Sequence, residues 1–286
     1  MLDYPQLLAL ATVHRRGSFD LAAAQLGLTP SAISQRVKAL EERMGTLVIR
    51  RGQPCSATEA GLRLIRHLEE VVLMEAALDL PGQAPAITRI AVNADSLATW
   101  VIPALAETDG LLFDIVIDDQ DVSQDWLARG EVAGAITASS GPLQGCDCLP
   151  LGTLRYLATA SPGFVARWLP DGPTPAAMTR APALTFNDKD RLQARWLRRA
   201  LGPGLAFPSH RLASSQGFVD AALAGLGWGM NPLPLVADHL AAGRLVELIP
   251  DTELDIPLFW QFARRNAPAL APLTRALHLA ARNRLI

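Results

Sequence analysis

Between Ser18 and Gly45 the chain runs SFDLAAAQLGLTPSAISQRVKALEERMG. Ser31, Ser34, Gln35, Arg36 and Lys38 gather there beside apolar Ile33, Val37 and Leu40. Glutamine can pair bidentately with adenine and arginine with guanine, while serine suits bases or phosphates, so the chemistry on offer is hydrogen bonding to a DNA duplex. With Ile33, Val37 and Leu40 turned inward, Ser31, Ala32, Gln35, Arg36 and Lys38 lie outward or toward a groove. Catalytic chemistry has no comparable set. The five histidines are scattered without ligand spacing, no serine sits in a G-x-S-x-G elbow, and GLGWG (225–229) lacks a phosphate-loop lysine. Neither a metal centre nor an enzyme active site is expected.

The surrounding residues predict how that surface is held. Leu7, Leu8, Leu10, Ala11 and Val13 mark a first helix that ends at Gly17. Ser18 caps a second, stopped by Gly27, and Thr29 caps a third with Pro30 at its first position. Two helices across a tight glycine turn match the helix-turn-helix layout, with the second in the major groove. A generic helical hairpin could show the same stripe. TLVIRRGQPCSAT follows as a two-stranded wing with Arg50 and Arg51 at a basic tip. From Thr58 to about Leu80 a long helix carries Leu62, Ile65, Leu68, Val72 and Leu78. That stripe is expected to pack on a second copy, or otherwise on its own body. PGQAPA (81–86) is a hinge.

The chain has 286 residues, 50% hydrophobic and 19% charged, enough for two or three cored domains. Net charge is −2, but residues 1–58 carry seven Lys/Arg against four Asp/Glu, which leaves +3 there and −5 on the rest. A basic head on an acidic body suits a polyanion partner for the head alone. No apolar run reaches membrane-spanning length and no export signal opens the chain, so a cytoplasmic, nucleoid-associated protein without a membrane partner is expected. Cys55, Cys146 and Cys148 suit free structural thiols rather than a disulfide framework.

Beyond the hinge, strand-like ITRIAVNA, LLFDIVID, VAGAIT, LRYLATA, ALTFN, HRLAS and PLFWQFARR alternate with helical stretches. This argues for an α/β region with mainly parallel sheets, arranged as two units around a cleft. Ligands of such sheets bind at strand ends. Asp95-Ser96, with Leu97 next, opens a helix whose N-terminal N–H groups favour a carboxylate; a plain N-cap is the alternative. Thr137 ends the VAGAIT strand, Phe186 ends ALTF, and Ser214-Ser215 open a helix. Asp95, Asp119, Asp188 and Asp190 could neutralise a cationic ligand, and Trp100 could wall the cleft or fill the core.

The run GSFDLAAAQLGLTPSAISQRVKALEERMGTLVIRR, then ATEAG and later GEVAGAIT, closely resembles LysR-type transcriptional regulators over essentially the whole chain. RIAVNADSLATWVIPAL, RGEVAGAIT, LGTLRYLATASP and SSQGFVDAALAGLGWGMNP bring it closer to the arginine/lysine-responsive branch of that family. The resemblance implies an α/β protein with three parts. They are a winged helix-turn-helix (1–58), a linker and dimerisation helix with hinge (59–82), and a two-lobed, periplasmic-binding-protein-like effector domain (83–286). Lobe I would take about 88–155 and 262–286, lobe II about 156–261. Ser18, Thr29, Ser31, Ala32, Ser34, Gln35, Arg36, Lys38, Arg50 and Arg51 are the candidate DNA-binding residues. Asp95, Ser96, Leu97, Trp100, Asp119, Thr137, Phe186, Asp188, Ser214 and Ser215 are the candidates for the effector. No cofactor is implied; the effector would be L-lysine or L-arginine and the target a basic amino-acid exporter gene. Operator DNA, a second and further copies of the chain as dimer and tetramer, and RNA polymerase are the expected partners. A family member with a different effector, or a chromosome-binding protein with none, is the alternative.

Overall fold

The computed structural model describes residues 2–78, 85–117 and 123–286. The chain divides into two compact units, Met1–Thr88 and Arg89–Ile286.

In the first unit, α1 (Tyr4–Arg16), α2 (Phe19–Leu26) and α3 (Pro30–Met44) are each set by a side-chain cap: Asp3, Ser18 and Thr29 accept from Gln6, Asp20 and Ala32 N–H. Each ends at a glycine of positive φ. A short antiparallel wing, β1 (Ile49–Arg50) with β2 (Ser56–Ala57), leads to α4 (Glu59–Ala76), capped by Thr58. Leu7, Leu10 and Val13 of α1 meet Ile33, Val37 and Leu40 of α3 in one core. The stripe on α4 divides. Ile65 and Leu68, with Leu64, are buried in this head's own core, while Leu62 and Val72 stay exposed, as does Leu78 in the turn beyond Ala76, where the helix ends short of the expected Leu80. Only part of it is therefore available to a second copy. Residues 81–84 of the expected hinge lie outside the described residues.

In the second unit the elements run β3 (Ala86–Val92), α5 (Ala94–Ser96), a π-helical turn (Leu97–Val101), α6 (Ile102–Ala106), β4 (Leu111–Ile117), α7 (Ser123–Ala128) and β5 (Gly134–Thr137). They continue as β6 (Cys146–Ala160), α8 (Pro162–Trp168), α9 (Pro175–Met178), β7 (Ala183–Thr185), α10 (Leu192–Leu201), β8 (Ser209–Arg211) and α11 (Ser215–Leu223). The last are β9 (Gly229–Pro232), α12 (Leu233–Ala241), β10 (Val246–Glu247), β11 (Leu254–Ala263) and α13 (Ala267–Arg282). The main sheet has the order β10-β6-β11-β5-β3-β4, with β9 also on β6, and β7 pairs with β8.

Among the described pairings β3–β5, β7–β8 and the single bridge Ala183–Trp228 are parallel, while β5, β6, β9, β10 and β11 meet one another antiparallel. The expectation of mainly parallel sheets is corrected here, and the cause is β6 and β11. These two long strands lie side by side and serve two strand groups at once. Trp260 to Ala263 of β11 lies opposite the start of β6, and that stretch of β11 also pairs with β5. The end of β6, Tyr156 to Ala160, takes β9 and β10. A chain that passes between two lobes and returns beside itself must run antiparallel.

Gly134 on β5 marks how tightly one lobe is filled. A Cβ there would stand 2.2, 2.7 and 2.9 Å from three atoms of the fully buried Trp260 ring, whose Nε1 is held by Thr274 Oγ1 at 3.0 Å. Gly134→Ala is expected to cost about 3 kcal/mol, the upper end of ordinary overpacking. Scanning calorimetry should show the second unit's transition roughly 6–12 °C lower; an unchanged transition would refute the packing described.

Candidate functional site

The head presents α3 on its inner anchors. With Ile33, Val37 and Leu40 fully buried, Ser31, Gln35 and Lys38 form an exposed line at i, i+4, i+7, flanked by half-buried Ala32, Ser34 and Arg36. Ser18 and Thr29 spend their hydroxyls on the caps of α2 and α3, at 3.2 Å each. Lys38 lies 3.7 Å from Glu42 in an exposed pair of little energetic weight. Arg50 and Arg51 are exposed on the wing, and the Arg51 guanidinium sits 5.5 Å over the Phe19 ring at the start of α2. Phe19, Pro30, Ser31, Ser34, Arg51 and Gln53 line an open hollow of about 610 Å³ between α3 and the wing. The surface so formed is basic at the wing, with the hydroxyl residues Ser31 and Ser34 of α3 beside it.

The second unit holds a cavity where four chain segments meet: Asn93–Asp95 at the end of β3, Phe186 and Lys189–Leu192 with Arg195 at α10, Ser215 and Phe218 on α11, and Met230–Pro232 on β9. Of the expected effector residues, Asp95, Phe186 and Ser215 line it. Ser96 is fully buried in the same turn as Asp95, and Leu97 and Trp100 continue into the π-helical turn, Trp100 with no exposure at all. Thr137 is buried and accepts from Ser139 N–H, and Ser214 caps α11 through Gly217 N–H. Asp188 is exposed and bound to Arg211 at 2.9 Å, away from the lining. Asp119 lies outside the described residues.

The cavity's chemistry is set by buried polar groups without partners. Among the described residues, Oδ1 and Nδ2 of Asn93, Oγ of Ser96 and Ser215, and Oδ1 of Asn231 make no hydrogen bond, although these residues are at most 7% exposed. Each such group costs about 1–3 kcal/mol while unpaired, and those of Asn93, Ser215 and Asn231, which line the cavity, offer both donors and acceptors to water or to a ligand. Asp95 Oδ2 accepts from the hydroxyl of fully buried Tyr156 at 2.7 Å. Both oxygens of Asp190 accept backbone N–H groups, from Phe186 at 2.9 Å and Leu192 at 3.0 Å, which staples the loop. Lys189, Arg191 and Arg195 stand exposed at the rim. The free interior is about 40 Å³, room for a water rather than an amino acid. Asn93, Asn231 and Tyr156 carry no spacing signal in the sequence; a buried asparagine at a strand end is the one hint they offered.

Elsewhere, burial pushes the Cys146 and Cys148 thiols above their ordinary value. Among the described residues no group of three or more His, Cys, Asp or Glu could hold a metal, and no helix is long and apolar enough to cross a membrane.

A winged helix-turn-helix followed by a two-lobed α/β domain with a polar cleft is the plan of a DNA-binding transcriptional regulator. Residues 5–62 match the family described as bacterial regulatory helix-turn-helix protein, lysR family, and residues 82–285 match the LysR substrate binding domain. The chain belongs to the LysR family. The HTH-type transcriptional regulator LysG of Mycobacterium tuberculosis is 44% identical over 285 residues, covering 98% of this chain and 94% of the relative. ArgP of Pseudomonas aeruginosa is 43% identical over 291 residues, covering 99% and 96%. Among solved structures, ArgP from M. tuberculosis superposes with a TM-score of 0.82 at 42% identity, covering 100% of this chain and 99% of that one. Full-length LysG from Corynebacterium glutamicum, solved with bound effector Arg, gives 0.69 at 35% identity and 99% of each chain. The relatives are named as regulators, not enzymes.

Proposed function

We propose that this regulator senses a basic amino acid, L-lysine or L-arginine, in the cavity between β3, α10, α11 and β9, and so controls a gene for basic amino-acid export. The observation that carries the effector half is the set of unpartnered groups of Asn93, Ser215 and Asn231 around Asp95. A zwitterion supplies acceptors and donors to the amides and hydroxyls, and a cationic side chain meets the carboxylate. The arginine bound to C. glutamicum LysG supports the same class. Closure of the rim on the ligand would favour one arrangement of the heads over another, which requires different affinities for the two arrangements. Exposed Leu62 and Val72 on α4 support a dimer through that helix, with a tetramer on DNA.

One observation favours a second reading, a family member with an acidic effector: Lys189, Arg191 and Arg195 outnumber Asp95 and Asp190 around the cavity. Titration calorimetry separates the two. Lysine or arginine should bind while glutamate does not; the reverse order would establish the second reading, and heat from neither would remove both.

Within the head, Gln35 and Arg36 are the proposed base readers and Arg50 and Arg51 the phosphate contacts. Gln35→Ala and Arg36→Ala should each cost about 1–3 kcal/mol on a selected operator and little on random DNA. Equal losses on both, in gel-shift titrations at fixed salt, would place these side chains on phosphates.

A further inference from the structure

The wing is too small to hold itself. Its strands are two residues each, and an isolated two-stranded hairpin is marginal even at greater length. Its attachments therefore decide where Arg50 and Arg51 stand. On one side Glu41 Oε1 of α3 accepts from Val48 and Ile49 N–H at 3.0 and 3.4 Å, and Thr58 N–H donates to Val48 O. These hold the base of β1. The other side, β2, is clasped by the end of α1. Cys55 N–H donates to Gly17 O at 2.7 Å, and a Cβ on Gly17 would meet Pro54 Cβ at 2.7 Å, so the turn of the wing lies directly on that glycine.

The third point of the clasp is a side chain. Ala57 N–H donates to His14 Nδ1 at 3.2 Å, across 43 residues. Ala57 is 6% exposed and pairs with Ile49, so its amide has little water to turn to. A backbone N–H can only donate, so Nδ1 of His14 is the acceptor in this contact.

We infer that His14 is a positioning residue for the wing. It touches no DNA and acts through β2, by keeping Arg50 and Arg51 at the height where they reach the duplex backbone. Losing the acceptor would leave a shielded amide unpaired and free β2 from α1 on its outer edge. The expected loss is about tenfold in affinity, the equivalent of about 1.4 kcal/mol. Because the wing arginines are what is displaced, the salt dependence of binding should flatten too, its log–log slope falling by about 1–2.

The test compares full-length wild type, His14→Leu and His14→Asn on a duplex selected from random DNA by the wild type. Asparagine places Oδ1 where Nδ1 stands, so it keeps the acceptor without the ring. His14→Leu should bind about tenfold more weakly with a flatter salt slope, and His14→Asn should stay within about threefold of wild type. Hydrogen exchange gives a second readout: the Ala57 amide should be protected in wild type and in His14→Asn. The inference is overturned if leucine leaves affinity and slope unchanged, or if asparagine behaves as leucine does. Should the leucine variant fail to fold, the asparagine variant and Ala57 exchange in the wild type still decide; an unprotected amide there removes the clasp.

Discussion

Gly61→Ala should disable the DNA-binding head. A Cβ at this position would stand 2.1 Å from Val48 O, 3.1 Å from Val48 C and 3.2 Å from Ala57 Cβ. The obstacle is backbone, and that backbone is pinned: Val48 O already accepts from Thr58 N–H at 3.0 Å, and Ile49 pairs with Ala57 beyond it. Relief requires α4 to move away from the wing by more than 1 Å, which would draw Leu64, Ile65 and Leu68 out of the head's core. Alanine gains about 1 kcal/mol of helix propensity over glycine, but an overpacked contact against fixed backbone costs about 3 kcal/mol or more. The clash wins. Thermal unfolding of this variant should lower the head's transition by roughly 8 °C or more, with site-specific DNA binding lost at 37 °C and ligand titration of the second unit unchanged. A variant with wild-type melting and wild-type DNA affinity would sink this account of why glycine occupies the first turn of α4.

That glycine belongs to a stretch whose local structure was legible residue by residue. Ser18, Thr29-Pro30 and Thr58 cap the helices that their types predict, because a cap is a contact between residues two or three apart. The same signals stood at Ser161-Pro162 and Thr174-Pro175, where α8 and α9 begin, yet the short helices they open carry too few apolar repeats to announce themselves. The division of the α4 stripe was not legible either: Ile65 and Val72 share the helical period and differ only in what lies opposite. Strand direction failed for a related cause. The periodicity of β6 reports burial on its two sides, not that the strand crosses from one lobe to the other. For the cavity, the strand ends and helix starts legible in the sequence include Asp95, Phe186 and Ser215, which line its wall. Asn93, Tyr156 and Asn231 escaped because their role exists only once segments far apart in the chain converge, as Asp95 and Tyr156 do across 61 residues.

The same bond decides which acid should read an effector's charge. Asp188 is paired with Arg211 outside the lining, and Asp190 gives both oxygens to the backbone of its own loop. Asp95 faces the cavity with Oδ2 oriented by a tyrosine hydroxyl that has no exposure to water. The rim cations Lys189, Arg191 and Arg195 oppose a cationic ligand, but they are exposed, where opposite or like charges at 4 Å interact by only about 1 kcal/mol. Asp95 is half-buried in the lining, so its carboxylate is screened less by water and salt than the exposed rim cations are. On the proposed function, Asp95→Asn should therefore weaken arginine and lysine by about 100-fold, within the range for truncating one member of a desolvated charge pair. Tyr156→Phe keeps the charge and loses its orientation, with an expected loss of about tenfold, the worth of a hydrogen bond to a charged group. Calorimetry with arginine and its neutral analogue citrulline provides the control: wild type should prefer arginine strongly, and Asp95→Asn should treat the two nearly alike. Binding of citrulline should change little in either variant, since the amides of Asn93 and Asn231 and the hydroxyl of Ser215 still hold the amino-acid end. If Asp95→Asn keeps the full preference for arginine, the charge is read elsewhere and the assignment to Asp95 falls, while wild-type binding of arginine would leave the wider proposal standing.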